Sequence, residues 1–229
     1  MKSTENSRYE FIPFEHLNGQ SDSEMILSSE NHFLKMKSRR TIRDFSERSV
    51  PFSVIENCIK VACSAPSGAN QQPWHFSIVS DPIIKSHIRD AAEREERKFY
   101  NNDRNTKWLK TLEPLGTDIN KPHLELAPWL IIVFAERYGQ MSNREYQKNY
   151  YVPESVGIAT GFLISALHLA GLSCLTHTPN PMGFLRTICQ RPKSNKAILI
   201  LAVGHPAEGT KIPFAATVKK KLSEVISIF

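Results

Sequence analysis

With 229 residues, 41% of them hydrophobic and 23% charged, the chain is long enough to bury one substantial core, and its composition excludes fully disordered and fibrous classes. Its longest apolar runs, Trp129 to Ala135 and Ala197 to Val203, are too short to span a membrane, and no basic start leading into an apolar stretch marks a secretory leader. The formal charge of +6 invites a nucleic-acid reading, but Arg94, Arg97 and Lys98 are mixed with Glu93, Glu95 and Glu96, as on a solvated helix face, so neither nucleic acid nor membrane is expected as a partner.

Residues 1–22 lack periodicity and read as an extended arm; residues 23–229 read as a single domain of mixed α and β structure. A first helix is expected over Glu24 to Lys37. Val50-Pro51 opens a second, with Pro51 suited to the first turn and Val54, Ile55, Cys58, Ile59 and Ala62 on one face. The stretch from Ala65 to Asn70 cannot continue it, because Pro66 disfavours helical geometry before it and Gly68 permits a tight turn. Trp74, Phe76 and Ile78 alternate with His75 and Ser77, which predicts a strand over 74–79, and Asp81-Pro82 starts a charged helix to about Tyr100.

Residues 101–125 show no clear pattern, and a stretch that long reads as a functional lid or a disordered loop. A buried strand is expected at 129–135, then a connection at 136–149. An apolar, small-residue helix follows from Pro153 to Ala170, ended by Gly171 and buried on most sides against a neighbouring helix or a second subunit. A strand at 172–177, a short helix at 181–190 with Asn180 as cap, a strand at 197–203 and a basic tail complete the chain.

Generic cofactor fingerprints are absent: there is no GxGxxG after a strand, no P-loop, no HExxH and no GxSxG, and the eight histidines have no metal-ligand spacing. Cys58, Cys63, Cys174 and Cys189 form no CxxC pair and read as small, buried, reduced thiols of a cytoplasmic protein. Two basic groups are unmixed, Arg39-Arg40-x-x-Arg43 and Lys219-Lys220-Lys221. Guanidinium forks match phosphate and paired carbonyl acceptors, although a surface Arg-Arg pair is more often solvated. Pro66-Ser67-Gly68-Ala69 offers backbone N–H groups and a hydroxyl on a turn, and Thr176-His177-Thr178 closes a strand with two hydroxyls. Taken singly, each is a loop or a strand end.

Taken together and in this order, SRRTIRDFS, APSGANQQPW, the long lid, YYVPESVGIATGFLISALHLAGL, THTPNP and VGHPAEG resemble the nitroreductase superfamily, with the closest match to its iodotyrosine deiodinase branch. The resemblance implies an α+β fold, a central mixed sheet flanked by helices, and an intertwined homodimer with FMN at the interface. It assigns Arg39, Arg40, Thr41 and Arg43 to the phosphate and the pyrimidine edge of the flavin. Pro66, Ser67 and Gly68 would reach it from the other subunit. Thr176, His177 and Thr178 would line its ring, with the Thr178 hydroxyl near N5 as the catalytic candidate. A basic tail residue completes the family's site; Lys219 is the choice here, with Lys220 as the alternative.

In the lid, Glu96, Tyr100 and Lys121 match the residues with which deiodinases grip an amino acid zwitterion, and Ala69 N–H is expected to hold the phenolate oxygen. Spacing agrees for Glu96 and Tyr100, which share a helix face at i and i+4. Without the resemblance, Glu96 would be one more charge in an exposed run and Lys121 a solvated loop lysine. Asn70 stands where deiodinases commonly carry His. Three activities are then open: FMN-dependent reductive dehalogenation of halotyrosines, with NAD(P)H or a reductase as the unidentified electron donor; a broad NAD(P)H-dependent nitro or quinone reductase; and a non-enzymatic basic protein.

Overall fold

The computed structural model describes residues 10–14, 19–140 and 146–229, so most of the arm expected over 1–22 lies outside the described residues. The chain divides into two compact units, Met1–Ser38 and Arg39–Phe229. In the first, the helix α1 (Asp22–Lys37) begins two residues earlier than expected because Ser21 and Glu24 form a capping box. Glu24 Oε2 accepts from Ser21 N at 2.8 Å and Ser21 Oγ accepts from Glu24 N at 3.4 Å.

In the second unit, helix α2 (Phe52–Cys63) follows Pro51, which is its cap, and buries Ile55, Cys58 and Ala62. Strand β1 (Trp74–Val79) leads to helix α3 (Pro82–Tyr100), whose start is fixed by Asp81 Oδ1 accepting from Ile84 N at 2.9 Å. The segment expected as lid or disordered loop is folded, through helix α4 (Thr106–Leu112), a 3-10 turn at Glu113–Leu115 and the short helix α5 (His123–Leu126). Local side-chain bonds supply the order that periodicity did not announce: Asn105 Nδ2 donates to the Phe99 carbonyl and the Tyr100 hydroxyl to the Thr117 carbonyl, each at 2.9 Å.

Strand β2 (Trp129–Glu136) comes next. The connection at 136–149 contains a hairpin of β3 (Tyr138–Gln140) and β4 (Tyr146–Lys148), with residues 141–145 outside the described residues. Helix α6 (Val152–Leu169), strand β5 (Ser173–His177), helix α7 (Gly183–Ile188) and strand β6 (Asn195–Gly204) follow. Helix α7 is shorter than the expected 181–190: Met182, not Asn180, caps it, and the cis Asn180–Pro181 bond lies ahead of it.

The sheet order is β1-β2-β6-β5, with every ladder antiparallel. An isolated parallel bridge between Thr41 and Cys174 makes the sheet mixed and sets the Arg39–Arg43 segment beside β5. Period-2 alternation sends Ile131, Leu201 and Val203 toward α2 and α6, where Ile55, Ala62, Leu163 and Leu167 meet them. Leu130, Ile132, Phe134 and Ile200 face α3, α5 and α7 through Ile88, Leu124 and Leu185. A three-layer α/β/α stack results.

By length and composition α6 is apolar enough to cross a membrane, with a mean hydropathy of 1.3. Yet Val156, Ala159, Leu163 and Leu167 are buried against the sheet and α2, the use that a core helix makes of such a sequence. The cysteines are all free; Cys58 and Cys174 are buried as expected, whereas Cys63 is exposed.

Candidate active site

Helix α3 carries Glu96 and Tyr100 on one face, and the chain returns through α4 to bring Lys121 opposite them. A cavity of about 300 Å³ is lined by all three, with Arg43, Trp108, His123 and residues Leu175–Thr178. Lys121 is 3% exposed, and its Nζ lies 3.5 Å from Glu96 Oε2. The same ammonium donates to Thr117 Oγ1 at 3.2 Å and to the Asp118 carbonyl. Burial pushes the Glu96 carboxyl up and the Lys121 ammonium down, and each charge partly offsets the other's shift. Burial also raises the Tyr100 phenol. The solvated reading of Glu96 and Lys121 is therefore excluded: these are enclosed charges that depend on each other.

A second ion-pair network fixes the frame. Arg89 Nε meets Glu93 Oε1 and its Nη1 meets Glu125 Oε2, both at 2.7 Å. Glu93 Oε1 also accepts from Lys121 N at 2.8 Å. Lys85, 8% exposed, donates to the carbonyls of Glu125 and Ala127 at 2.8 and 2.9 Å. Helices α3 and α5 are thus joined by charge-assisted bonds.

Alternation along β5 divides its last residues. Thr176, like Cys174, faces the α6 side and is exposed, as is Thr178 beyond the strand, whereas His177 turns to the α3 side and is buried. The His177 side chain therefore does not share a face with the threonine hydroxyls. Its Nε2 is 3.9 Å from Glu96 Oε1, and its ring makes an edge-on contact with His123 at 5.4 Å between centroids. Neither Nε2 has a hydrogen-bond partner. Burial, reinforced by nearby Lys121 and Arg43, holds both imidazoles down at about 3, so His177 and Glu96 are not an ion pair near neutral pH.

Arg39, Thr41, Cys174 and Thr176 line a smaller hollow of about 220 Å³, so Thr176 belongs to both hollows and Arg43 to the larger. Arg40 is half-buried, with Nη1 donating to the Arg39 carbonyl at 2.7 Å. The Pro66–Ala69 segment lines neither hollow. Gly68 N donates to Ser155 Oγ at 3.2 Å, and a Cβ at Gly68 would sit 2.8 Å from Tyr151 Cδ2. Ala69, Asn70 and Gln72 hold φ of 50°, 52° and 47°, a left-handed geometry costing each about 1–2 kcal/mol. Lys219 and Lys220 are exposed on the tail.

Of the sequence candidates, Arg39, Thr41, Arg43, Glu96, Tyr100, Lys121, Thr176, His177 and Thr178 converge on two adjoining hollows. Arg40, Pro66, Ser67, Gly68, Ala69 and Lys219 lie outside them. Sequence reasoning missed His123 and Trp108. A His two residues after a buried lysine carries no distinguishing spacing, and Trp108 stands in a stretch without periodicity.

A model of the nitroreductase family matches residues 36–205, which is most of the chain. The chain belongs to the nitroreductase family. Among curated relatives it is 50% identical over 203 residues to an iodotyrosine deiodinase of Haliscomenobacter hydrossis, covering 89% of this chain and 91% of that protein. It is 38% identical to iodotyrosine deiodinase 1 of Homo sapiens, covering 89% and 71%. A crystal structure of oxidized iodotyrosine deiodinase bound to FMN and 3-iodo-L-tyrosine superposes with a TM-score of 0.71 at 33% identity, covering 83% of this chain and 96% of that one. The chain is thus deiodinase-like within the family.

Proposed function

We propose that this protein is an FMN-dependent reductase that removes halogen from halotyrosines, using its lid to grip the amino acid zwitterion. The observation that carries this reading is the enclosed Glu96–Lys121 pair with Tyr100 beside it, in one cavity with Thr178 and Arg43. Bound FMN supplies the reducing electrons. The residues present suit it. Arg39, Arg40 and Arg43 offer forks for phosphate and carbonyl oxygens, and Thr176 and Thr178 offer exposed hydroxyls at the join of the two hollows. His177, whose side chain turns to the other face, would contribute to the flavin site by its backbone.

Glu96 takes the substrate ammonium, while Lys121 takes its carboxylate, joined by the Tyr100 hydroxyl once it turns from the Thr117 carbonyl to which it donates without ligand. The zwitterion replaces one enclosed pair by two, so no charge is left buried alone. A ligand with only one of the two charges strands the other grip. Trp108 and Leu112 border the cavity and would shield a bound ring from water.

The remaining expected contacts come from a second copy. A mostly apolar groove of about 820 Å³ runs along α6, lined by Tyr151, Val156, Gly157 and Gly161, and Ile158 and Phe162 stand exposed on the same helix. A homodimer seated there supports Pro66, Ser67, Gly68 and Lys219 as flavin contacts from the partner and Ala69 N–H as the donor to the phenolate oxygen. The free thiols are in keeping with a cytoplasmic protein. The electron donor is NAD(P)H or a separate reductase.

Titration of the flavin absorbance with iodotyrosine and with iodophenol tests the reading. Glu96→Gln is expected to weaken iodotyrosine binding about tenfold or more, the worth of a charged hydrogen bond, and to leave iodophenol binding unchanged. Equal affinity of the native protein for the two ligands would instead support a broad nitro or quinone reductase.

A further inference from the structure

His177 is the enclosed polar group that the zwitterion grip leaves unused. It is 8% exposed, its Nε2 has no hydrogen-bond partner, and the nearest anionic atom is Glu96 Oε1 at 3.9 Å. An enclosed donor or acceptor without a partner is a cost that a structure normally avoids. The reason for the gap lies on the other side of the carboxylate, where Lys121 Nζ draws Glu96 through Oε2. Remove that pull, and a shift of about 1 Å brings Oε1 to hydrogen-bond distance from His177.

We propose that His177 is a positioning residue for Glu96, donating from Nε2 to Oε1 once a ligand's carboxylate has drawn Lys121 away, so that Oε2 is turned to the ligand's ammonium. This rests on the reading of Glu96 as the ammonium's partner. A neutral imidazole carries one N–H, and the anionic oxygen facing Nε2 selects the tautomer with the proton there. The groups facing His177 are Glu96, His123, Lys121 and Arg43, three of the four being neutral or cationic. Burial first, and then His123, Lys121 and Arg43, keeps the ring uncharged, and this suits the role. A cationic ring would neutralise Glu96 and compete with the ammonium, whereas a neutral donor fixes the carboxylate and leaves its charge for the ligand. The edge-on ring of His123 holds the His177 ring in that orientation.

The test uses the flavin-loaded protein with iodotyrosine and iodophenol as probes. His177→Phe keeps the volume without the donor, and His177→Gln restores an N–H. The phenylalanine variant is expected to bind iodotyrosine about tenfold more weakly, with iodophenol affinity and flavin retention unchanged. His177→Gln should recover most of the loss, and in a Glu96→Gln background His177→Phe should add none. Nitrogen NMR of the iodotyrosine complex should find the His177 proton on Nε2. Equal loss for both ligands, no loss, an undiminished loss in the Glu96→Gln background, or a proton on Nδ1 overturns the proposal. If Glu96→Gln weakens iodotyrosine selectively and His177→Phe does not, only the role of His177 falls. If Glu96→Gln itself fails to separate the two ligands, the zwitterion reading falls with it.

Discussion

The two halves of this site are built to different standards of completeness. On the lid side, Glu96, Lys121, Tyr100, His123 and His177 are buried or half-buried and packed against one another. On the cradle side, Arg39, Arg40, Thr176 and Thr178 are half-buried or exposed, and the strained Pro66–Gln72 segment, like Lys219, lines neither hollow. The lid half satisfies its own charges by pairing them, so it can exist within one chain. The cradle half presents forks and hydroxyls to the outside, which suits a site completed by a large anionic ligand and a second copy of the protein.

That contrast can be broken at either end. The largest effect is expected on the cradle: Arg39→Ala with Arg40→Ala should weaken FMN binding at least about a hundredfold, two charge-assisted contacts being lost together, as read by flavin fluorescence. The comparison fails if Glu96→Gln releases flavin to the same degree.

Next comes acid stability, a property of the lid side. His123 and His177 sit at about 3 against an ordinary value of 6.5. Below about pH 6.5 the unfolded chain takes up two protons that the folded chain refuses until about pH 3. Stability is therefore complete above 6.5 and falls as the pH drops through that window, by at most about 1.4 kcal/mol per pH unit for each ring. Urea denaturation at a series of pH values should show that limb, and replacing both rings by Phe should flatten it. The smallest effect is expected at Gly116, held at φ +59° at the end of its 3-10 turn. Gly116→Ala should loosen the lid locally by about 1–2 kcal/mol, seen as faster amide exchange over α4 with flavin affinity untouched.

Much of the frame was legible because it rests on periodicity. The run from Leu130 to Ala135 is enclosed on both faces and reads as a strand, and Ile55, Cys58 and Ala62 mark the buried stripe of α2. The lid was not legible as structure. Helix α4 is only seven residues long, and Trp108 and Leu112 face the cavity rather than the core, so no stripe forms. The hairpin of β3 and β4 was missed because three-residue strands carry no readable alternation. In the site, Glu96, Tyr100 and Lys121 were found through family likeness, since enclosure of a charge cannot be seen in a run such as Glu93 to Lys98. The division of Thr176 and Thr178 from His177, by contrast, was implicit in strand alternation, because adjacent side chains on a strand point to opposite faces.

The bond from Lys121 N–H to Glu93, itself clasped by Arg89, means that the flap is a loop whose two roots are tied to each other. The crown around Trp108, which is 57% exposed, takes no part in that tie. Glu96 stands next to one root and Lys121 forms the other. Glu96 and Lys121 therefore keep their register through these bonds, independently of the stretch around Trp108.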